Sequence, residues 1–213
     1  MRMNNLLPKQ YIRINGKEII AYTLEVFQKC DLIDEIIIAA QNNYFDLLQT
    51  IKKNYSLSKI SKIVEGGEER QQSVLNALKT INAKEDDLIV VHDAVRPLLP
   101  PDILTNAIEA AKRSGNAVVA IKAKDTLIKG MDSVNSYVDR QDVYYAQTPQ
   151  IFHYRILSDA LSKAEKEKFI GTDESTLVHR AGYKVNIVNG SSLNFKITNE
   201  DDLLVFENVI RNN

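Results

Sequence analysis

The stretch Asp87-Leu88-Ile89-Val90-Val91-His92-Asp93-Ala94-Val95-Arg96-Pro97 decides how the rest of this chain is read. Leu88 to Val91 is an apolar run rich in β-branched residues, which suits a strand buried on both faces of a parallel sheet. It breaks into His92, Asp93, Arg96 and Pro97. Ligands of open α/β sheets bind at the carboxyl ends of strands, so an acid, a histidine and an arginine grouped there read as a site. The same residues also suit a plain strand-to-loop turn in which Asp93 caps the next helix.

On either side, strand-like and helix-like segments alternate. Upstream, Lys17 to Cys30 has helical spacing through Ile20, Leu24 and Phe27, and Asp34 to Ala40 carries the apolar triplet Ile36-Ile37-Ile38. Tyr44 to Lys53 reads as a helix and Lys59 to Glu65 as a short strand. Gly66-Gly67 turns the chain into a helix from Arg70 to Ile81. Downstream, Pro101 suits the first position of another helix, and Asn116 to Ile121 is again a strand. Residues 122–147 break the rhythm. Two extended segments flank Gly130-Met131-Asp132-Ser133, and Tyr137, Tyr144 and Tyr145 add β propensity. A protruding β-arm toward a second subunit and a simple surface hairpin both fit. Helices follow from about Tyr154 to Lys166 and from Gly171-Thr172-Asp173-Glu174 to Ala181. Tyr183 to Val188 is a strand, Asn194 to Ile197 is extended, and Thr198 with Asp201 starts a last helix as a capping box. The alternation predicts an α/β fold with a mostly parallel twisted sheet and helices on both faces. The expected organisation is one domain over 1–213 with the arm attached.

The 213 residues are 44% hydrophobic and 26% charged, enough to bury a core, and the formal net charge is −1. That balance argues against nucleic acid as a partner. One cysteine, Cys30, excludes an internal disulfide and agrees with a reducing compartment. No apolar run has membrane-spanning length and no signal peptide is visible, so a cytoplasmic location without membrane association is expected.

Five cations stand in loops at strand ends or in the arm: Arg2, Lys9, Arg96, Arg140 and Lys196. Loop cations of this kind can converge on phosphates. Lys52, Lys53, Lys163 and Lys166 instead suit solvated helix faces. Gly66-Gly67 before a helix containing Ser73 allows backbone N–H groups close to an anion, although a plain turn into a helix reads equally well. Asp93 is the candidate metal ligand, because Mg²⁺ takes one or two carboxylates plus substrate phosphates. No Cys/His cluster points to zinc, and His92, His153 and His179 are scattered. There is no nucleophile elbow and no Gly-x-Gly-x-x-Gly. Clustered cations, a single carboxylate and no nucleophile point to phosphoryl-type transfer.

The motifs Pro8-Lys9-Gln10-Tyr11, Gly66-Gly67-x-x-Arg70-x-x-Ser73-Val74, His92-Asp93-Ala94-Val95-Arg96-Pro97, Asp125-Thr126, Asp139-Arg140, Gln147-Thr148-Pro149-Gln150, Thr172-Asp173-Glu174 and Asn194-Phe195-Lys196-Ile197-Thr198 occur in one order along the chain. In that order and spacing the sequence resembles the 2-C-methyl-D-erythritol 4-phosphate cytidylyltransferases, which act in the non-mevalonate isoprenoid pathway. The related ribitol-5-phosphate cytidylyltransferases are the alternative; Val138-Asp139-Arg140 and Thr172-Asp173-Glu174-Ser175 resemble the erythritol enzymes more.

The resemblance implies a Rossmann-like nucleotidyltransferase fold and transfer of CMP from CTP to methylerythritol phosphate, releasing pyrophosphate with Mg²⁺ as cofactor. It implies that Arg2, Lys9 and Lys196 face the triphosphate, and that Asp93 holds Mg²⁺ and approaches the substrate. Gly67, Glu68 and Ser73 would face the cytidine, with Glu68 where relatives often carry Asp. Arg96, Thr126, Arg140 and Thr148 would bind the sugar phosphate. It further implies a homodimer in which the arm, about 122–147, brings Arg140 and Thr126 to the partner's site. The family pattern begins with a strand and a Gly-rich loop, and Met1-Arg2-Met3 falls inside that loop. Without them a central strand would have an open edge and the triphosphate fewer backbone donors. A non-catalytic protein of the same fold is therefore the third expectation.

Overall fold

The computed structural model describes residues 7–212, so Arg2 lies outside the described residues. A 3-10 turn, Lys9–Tyr11, leads into a small hairpin of β1 (Arg13–Ile14) and β2 (Lys17–Glu18). Asn15 and Gly16 turn it at φ of 49° and 79°, the positive values that favour Asn-Gly in two-residue turns. Lys17 and Glu18, expected to open a helix, are therefore paired as strand, and α1 is Ile19–Lys29.

The chain continues through β3 (Ile36–Ala40), α2 (Phe45–Asn54), β4 (Ile60–Glu65), α3 (Arg70–Leu78), β5 (Leu88–Val91), α4 (Pro101–Ser114) and β6 (Asn116–Lys122). Then come β7 (Leu127–Gly130), β8 (Val134–Val138), β9 (Tyr144–His153), α5 (Tyr154–Glu167), α6 (Glu174–Arg180), β10 (Ile187–Asn189) and α7 (Glu200–Arg211). Among the described residues the main sheet has the order β10-β6-β9-β5, with β3 and β4 as a separate parallel pair. β10 runs parallel to β6, while β9 is antiparallel to both β6 and β5. The α/β architecture is as expected, with parallel pairs β10–β6 and β3–β4 and β9 antiparallel between β6 and β5.

The period-two alternation of strand side chains divides the main core. Ala117, Val119 and Ile151 face α4, whose Leu104, Ala107, Ile108 and Ala111 recur at helical spacing. Val118 and Phe152 face the other way, toward Ile156, Leu157, Ala160 and Leu161 of α5 and Leu177 and Val178 of α6. Each fully buried aliphatic side chain stabilises this packing by roughly 1.5–3 kcal/mol. Pro101 opens α4, and Gly115 closes it at φ 82°, the left-handed conformation that ends many helices.

Three sequence expectations are corrected. The arm, expected to run to about 147, ends earlier, because β9 begins at Tyr144 and carries Gln147-Thr148-Pro149-Gln150 within it. The β6–β9 register shifts between Val118 and Ala120, opposite this segment. Such an irregularity accommodates proline, which cannot donate a ladder hydrogen bond. Leu88 to Val91 are half-buried instead of fully buried, because β5 pairs on one side only among the described residues. Finally, α7 is capped one residue later than expected. The side chain of Asn199 accepts from the Asp202 N–H, and the Asp202 carboxylate accepts from the Asn199 N–H.

Within the arm, β7 and β8 form an antiparallel hairpin over 127–138, and Tyr144 to Gln147 already belong to β9. The hairpin exposes large apolar side chains: Ile128, Met131 (97%), Val134 and Tyr137 (72%).

Candidate active site

The carboxyl end of β5 delivers Asp93 to a point where three cations meet. Its Oδ2 accepts from Arg96 Nε at 3.1 Å and pairs with Lys196 Nζ at 3.2 Å; its Oδ1 accepts from Arg70 Nε at 3.4 Å. Burial pushes the Asp93 carboxyl up, but Lys196, Arg70 and Arg96 outweigh it and bring the pKa down to about 2. Asp93 is therefore a fixed anion near neutral pH.

The backbone beside Asp93 is locked by a short chain of hydrogen bonds. The Asp93 N–H donates to Thr148 Oγ1 at 3.1 Å. The Thr148 hydroxyl, having accepted there, donates to His92 Nδ1 at 3.0 Å. This leaves the His92 proton on Nε2, which faces the Arg96 carbonyl at 3.4 Å. Burial brings His92 down to about 4, so its imidazole is neutral near pH 7 and serves as a strut. Thr148 thus joins β9 to the end of β5 with its hydroxyl engaged on both sides.

Lys196 arrives from the loop between β10 and α7. The Ile197 N–H donates to Val95 O at 2.9 Å, and the Ile197 side chain is fully buried beside Val95 and Phe206. The loop is pinned again at Asn194, whose side-chain amide donates to Thr148 O at 2.7 Å and whose carbonyl accepts from Arg96 Nη1 at 2.7 Å. Arg96 is itself buried, so its fork is held by Asp93 and Asn194. Lys9 sits in the first turn, anchored by buried Tyr11, which stacks on Tyr44 with ring centroids 4.5 Å apart. Burial and the charge on Lys196 lower the Lys9 pKa, while Asp202 and Asp93 pull it back up. The charge on Lys196 therefore stands close enough to Lys9 to disfavour its protonated form.

At the start of α3, Ser73 Oγ accepts from the Gly67 N–H at 3.0 Å and donates to Glu69 O at 3.2 Å. A side chain on Gly67 would collide with Gln72, so this glycine is required by the turn itself. Glu68 is exposed beside it. The structure therefore brings Lys9, Asp93, Arg96, Thr148 and Lys196 together, with Gly67 and Ser73 linked to them through Arg70. Thr126 and Arg140 are exposed on the arm side, where Arg140 Nη1 donates to the Lys124 carbonyl.

Several site residues had no role assigned from sequence. Arg70 bridges Asp93 and Glu174. Gln150 accepts from the Ser175 N–H at 2.9 Å and donates to Asp173 Oδ2 at 2.8 Å, tying β9 to the start of α6. Gln147 donates to Ser191 O at 3.0 Å. Their sequence signal was present in the motifs containing them, but only the fold shows that they are clamps. Among the described residues no group of three or more His, Cys, Asp or Glu could cage a metal. Asp93, one ionised carboxylate beside three cations, is a donor of the kind Mg²⁺ takes, since Mg²⁺ commonly uses one or two carboxylates with substrate phosphates and water.

The family model of 2-C-methyl-D-erythritol 4-phosphate cytidylyltransferase (IspD) matches residues 1–212. This chain belongs to that family. The cytidylyltransferase of Syntrophus aciditrophicus is 42% identical over 209 residues, covering 97% of this chain and 89% of the relative. That of Clostridium acetobutylicum is 40% identical over 208 residues, covering 96% and 90%. Among solved structures of the cytidylyltransferase family, the Francisella tularensis protein superposes with a TM-score of 0.82 at 33% identity, covering 94% of this chain and 92% of that one. The Thermus thermophilus protein gives 0.80 at 28% identity, covering 96% and 94%. The clustered cations thus occupy a nucleotidyltransferase scaffold.

Proposed function

We propose that this cytidylyltransferase moves CMP from CTP to 2-C-methyl-D-erythritol 4-phosphate. A phosphate oxygen of the alcohol phosphate attacks the α-phosphorus of CTP in line. One P–O bond forms, the bond to the bridging oxygen breaks, and pyrophosphate leaves with the displaced electron pair. The observation that carries this is the convergence of Lys196, Arg96 and Arg70 on Asp93, with Lys9 beside them. The reaction must bring two polyanions together, whose repulsion grows as water is excluded. Cations held in place before the substrates arrive offset that repulsion without reorganising in the transition state.

Lys9 and Lys196 neutralise charge at the triphosphate, the role that the family resemblance also implies for Arg2, which lies outside the described residues. Gly67, Glu68 and Ser73 present the turn at α3 to the cytidine. Asp93 would hold Mg²⁺, which when bound screens phosphate charge and orients the triphosphate. Arg96 and Thr148 shape the sugar-phosphate side. The exposed apolar face of the hairpin (Ile128, Met131, Val134 and Tyr137) supports a homodimer in which the arm brings Thr126 and Arg140 to the partner's site. A cytoplasmic location is part of the same reading. Among the described residues no helix is long and apolar enough to cross a membrane.

The test is pyrophosphate release from CTP and Mg²⁺ with methylerythritol phosphate or ribitol 5-phosphate as acceptor. Turnover is expected with the first and little with the second. Preference for ribitol phosphate would reassign the acceptor. No CTP binding at all would mark a non-catalytic member of the fold.

A further inference from the structure

Arg70 is the first residue of α3, directly after the Gly66–Gly67 turn. Its guanidinium is divided between two carboxylates on different elements. Nε reaches Asp93 Oδ1 at 3.4 Å at the end of β5, and Nη1 pairs with Glu174 Oε2 in the first turn of α6. The Glu174 side chain is only 1% exposed. Burial pushes its carboxyl up and Arg70 pulls it back. A buried ion pair of this kind adds little net stability, because desolvation consumes the Coulombic gain. Its effect is directional: a planar fork pinned at one nitrogen has few orientations left for the other.

The three cations on Asp93 are unequal. Arg70 is held by Glu174 and Arg96 by the Asn194 carbonyl, whereas Lys196, with 39% of its side chain exposed, pairs with Asp93. An incoming phosphate can draw Lys196 across without dislodging the other two. The second anchor of α3 lies on the same path. Gln71 donates to Phe169 O at 3.2 Å and accepts from the Gly171 N–H at 3.0 Å, fixing the loop that leads to Glu174.

We infer that Arg70, pinned by the buried carboxylate of Glu174, is a positioning residue for the transfer. It holds Asp93 through Oδ1, leaves Oδ2 to Lys196 and Arg96, and sets the Gly66–Gly67 turn at a fixed separation from the cation cluster. This rests on the reading of that cluster as the phosphate side of a cytidylyl-transfer site.

Arg70→Lys keeps the charge, but a point ammonium cannot bridge both carboxylates. Glu174→Gln keeps the shape and removes the negative charge that anchors the guanidinium. Each is expected to lower kcat by about 10–100-fold, the usual cost of losing a group that orients a site ligand, with a smaller change in KM for CTP. The double variant should be no slower than the slower single, because the pair acts as one unit. A purely structural role would lower the melting temperature and the folded fraction but leave kcat per folded molecule unchanged. Crystal structures of both variants supply a readout that needs no turnover: the Asp93 carboxylate should rotate away from its 3.2 Å contact with Lys196. Wild-type kcat per folded molecule in Arg70→Lys, or an unmoved Asp93 in its structure, overturns the inference. If the wild-type protein releases no pyrophosphate, the cytidylyl-transfer reading fails by itself, and the position of Asp93 in the variants still decides the role of Arg70.

Discussion

Thr148 shows how much a single side chain can do at the residue scale. Its hydroxyl accepts from the Asp93 N–H and donates to His92, joining two strand ends with one oxygen. Thr148→Val has nearly the same volume but leaves both partners unsatisfied. A loss of about 1–3 kcal/mol is expected for stranding buried polar groups, measurable by urea denaturation, with Thr148→Ser close to wild type. Equal stability of the valine variant would mean that water replaces the hydroxyl. The cations make a different prediction. Lys9→Ala and Lys196→Ala should each lower kcat by about 10²–10³, the cost of removing one preorganised group that stabilises transition-state charge. Pyrophosphate-release assays check this, and wild-type-like turnover in either variant would remove that lysine from the mechanism.

At the scale of elements, the start of α6 is the most densely bonded helix terminus in the site. Asp173 is its N-cap, and its carboxylate accepts from Thr176 N at 2.8 Å, Ser175 Oγ at 2.9 Å and Gln150 Nε2 at 2.8 Å. Burial pushes the Asp173 carboxyl up, but these hydrogen bonds outweigh it, and the pKa ends below its ordinary value. Asp173→Ala should destabilise by about 1 kcal/mol, the usual cost of a lost cap. The sign of the pH dependence follows from the depressed pKa. The carboxylate's contribution is present above the unfolded value of about 4 and is lost as pH falls through the folded value. The gap between wild type and variant should therefore narrow on acidification below about pH 4, in denaturation curves run across pH. A gap that widens there would contradict the assigned network.

At the scale of the whole molecule, the arm is the feature that the single chain leaves unfinished. Its hairpin carries four large apolar side chains into solvent, Met131 at 97% exposure among them. A patch of this kind marks an interaction surface. On the proposed reading of the arm as a dimer contact, replacing both Ile128 and Tyr137 by Glu is expected to convert a dimer to a monomer in sedimentation velocity and to lower turnover by separating Arg140 from the partner's site. The melting temperature of the monomer should change little, because neither side chain belongs to the core. A wild-type protein that sediments as a monomer would remove the arm from the assembly and return Arg140 to an ordinary surface role.

What could be read from the residues followed from local rules. Alternating apolar runs and helical periodicity placed the start of α4 and both ends of α5 and β6 within a residue, because burial of one face imposes its spacing on the chain. The family resemblance of the ordered motifs proposed Lys9, Asp93, Arg96 and Lys196, and the fold brings these four side chains near one another. Local rules failed where a partner distant in sequence decided the outcome. No local pattern assigned Gln147 to Gln150 to an element, and the shifted pairing with β6 makes room for Pro149 inside a strand. Arg70 and Glu174 are 104 residues apart, and no periodicity links them. Only folding places a buried carboxylate against that guanidinium, because the cost of desolvating a charge is set by the neighbours that tertiary packing supplies.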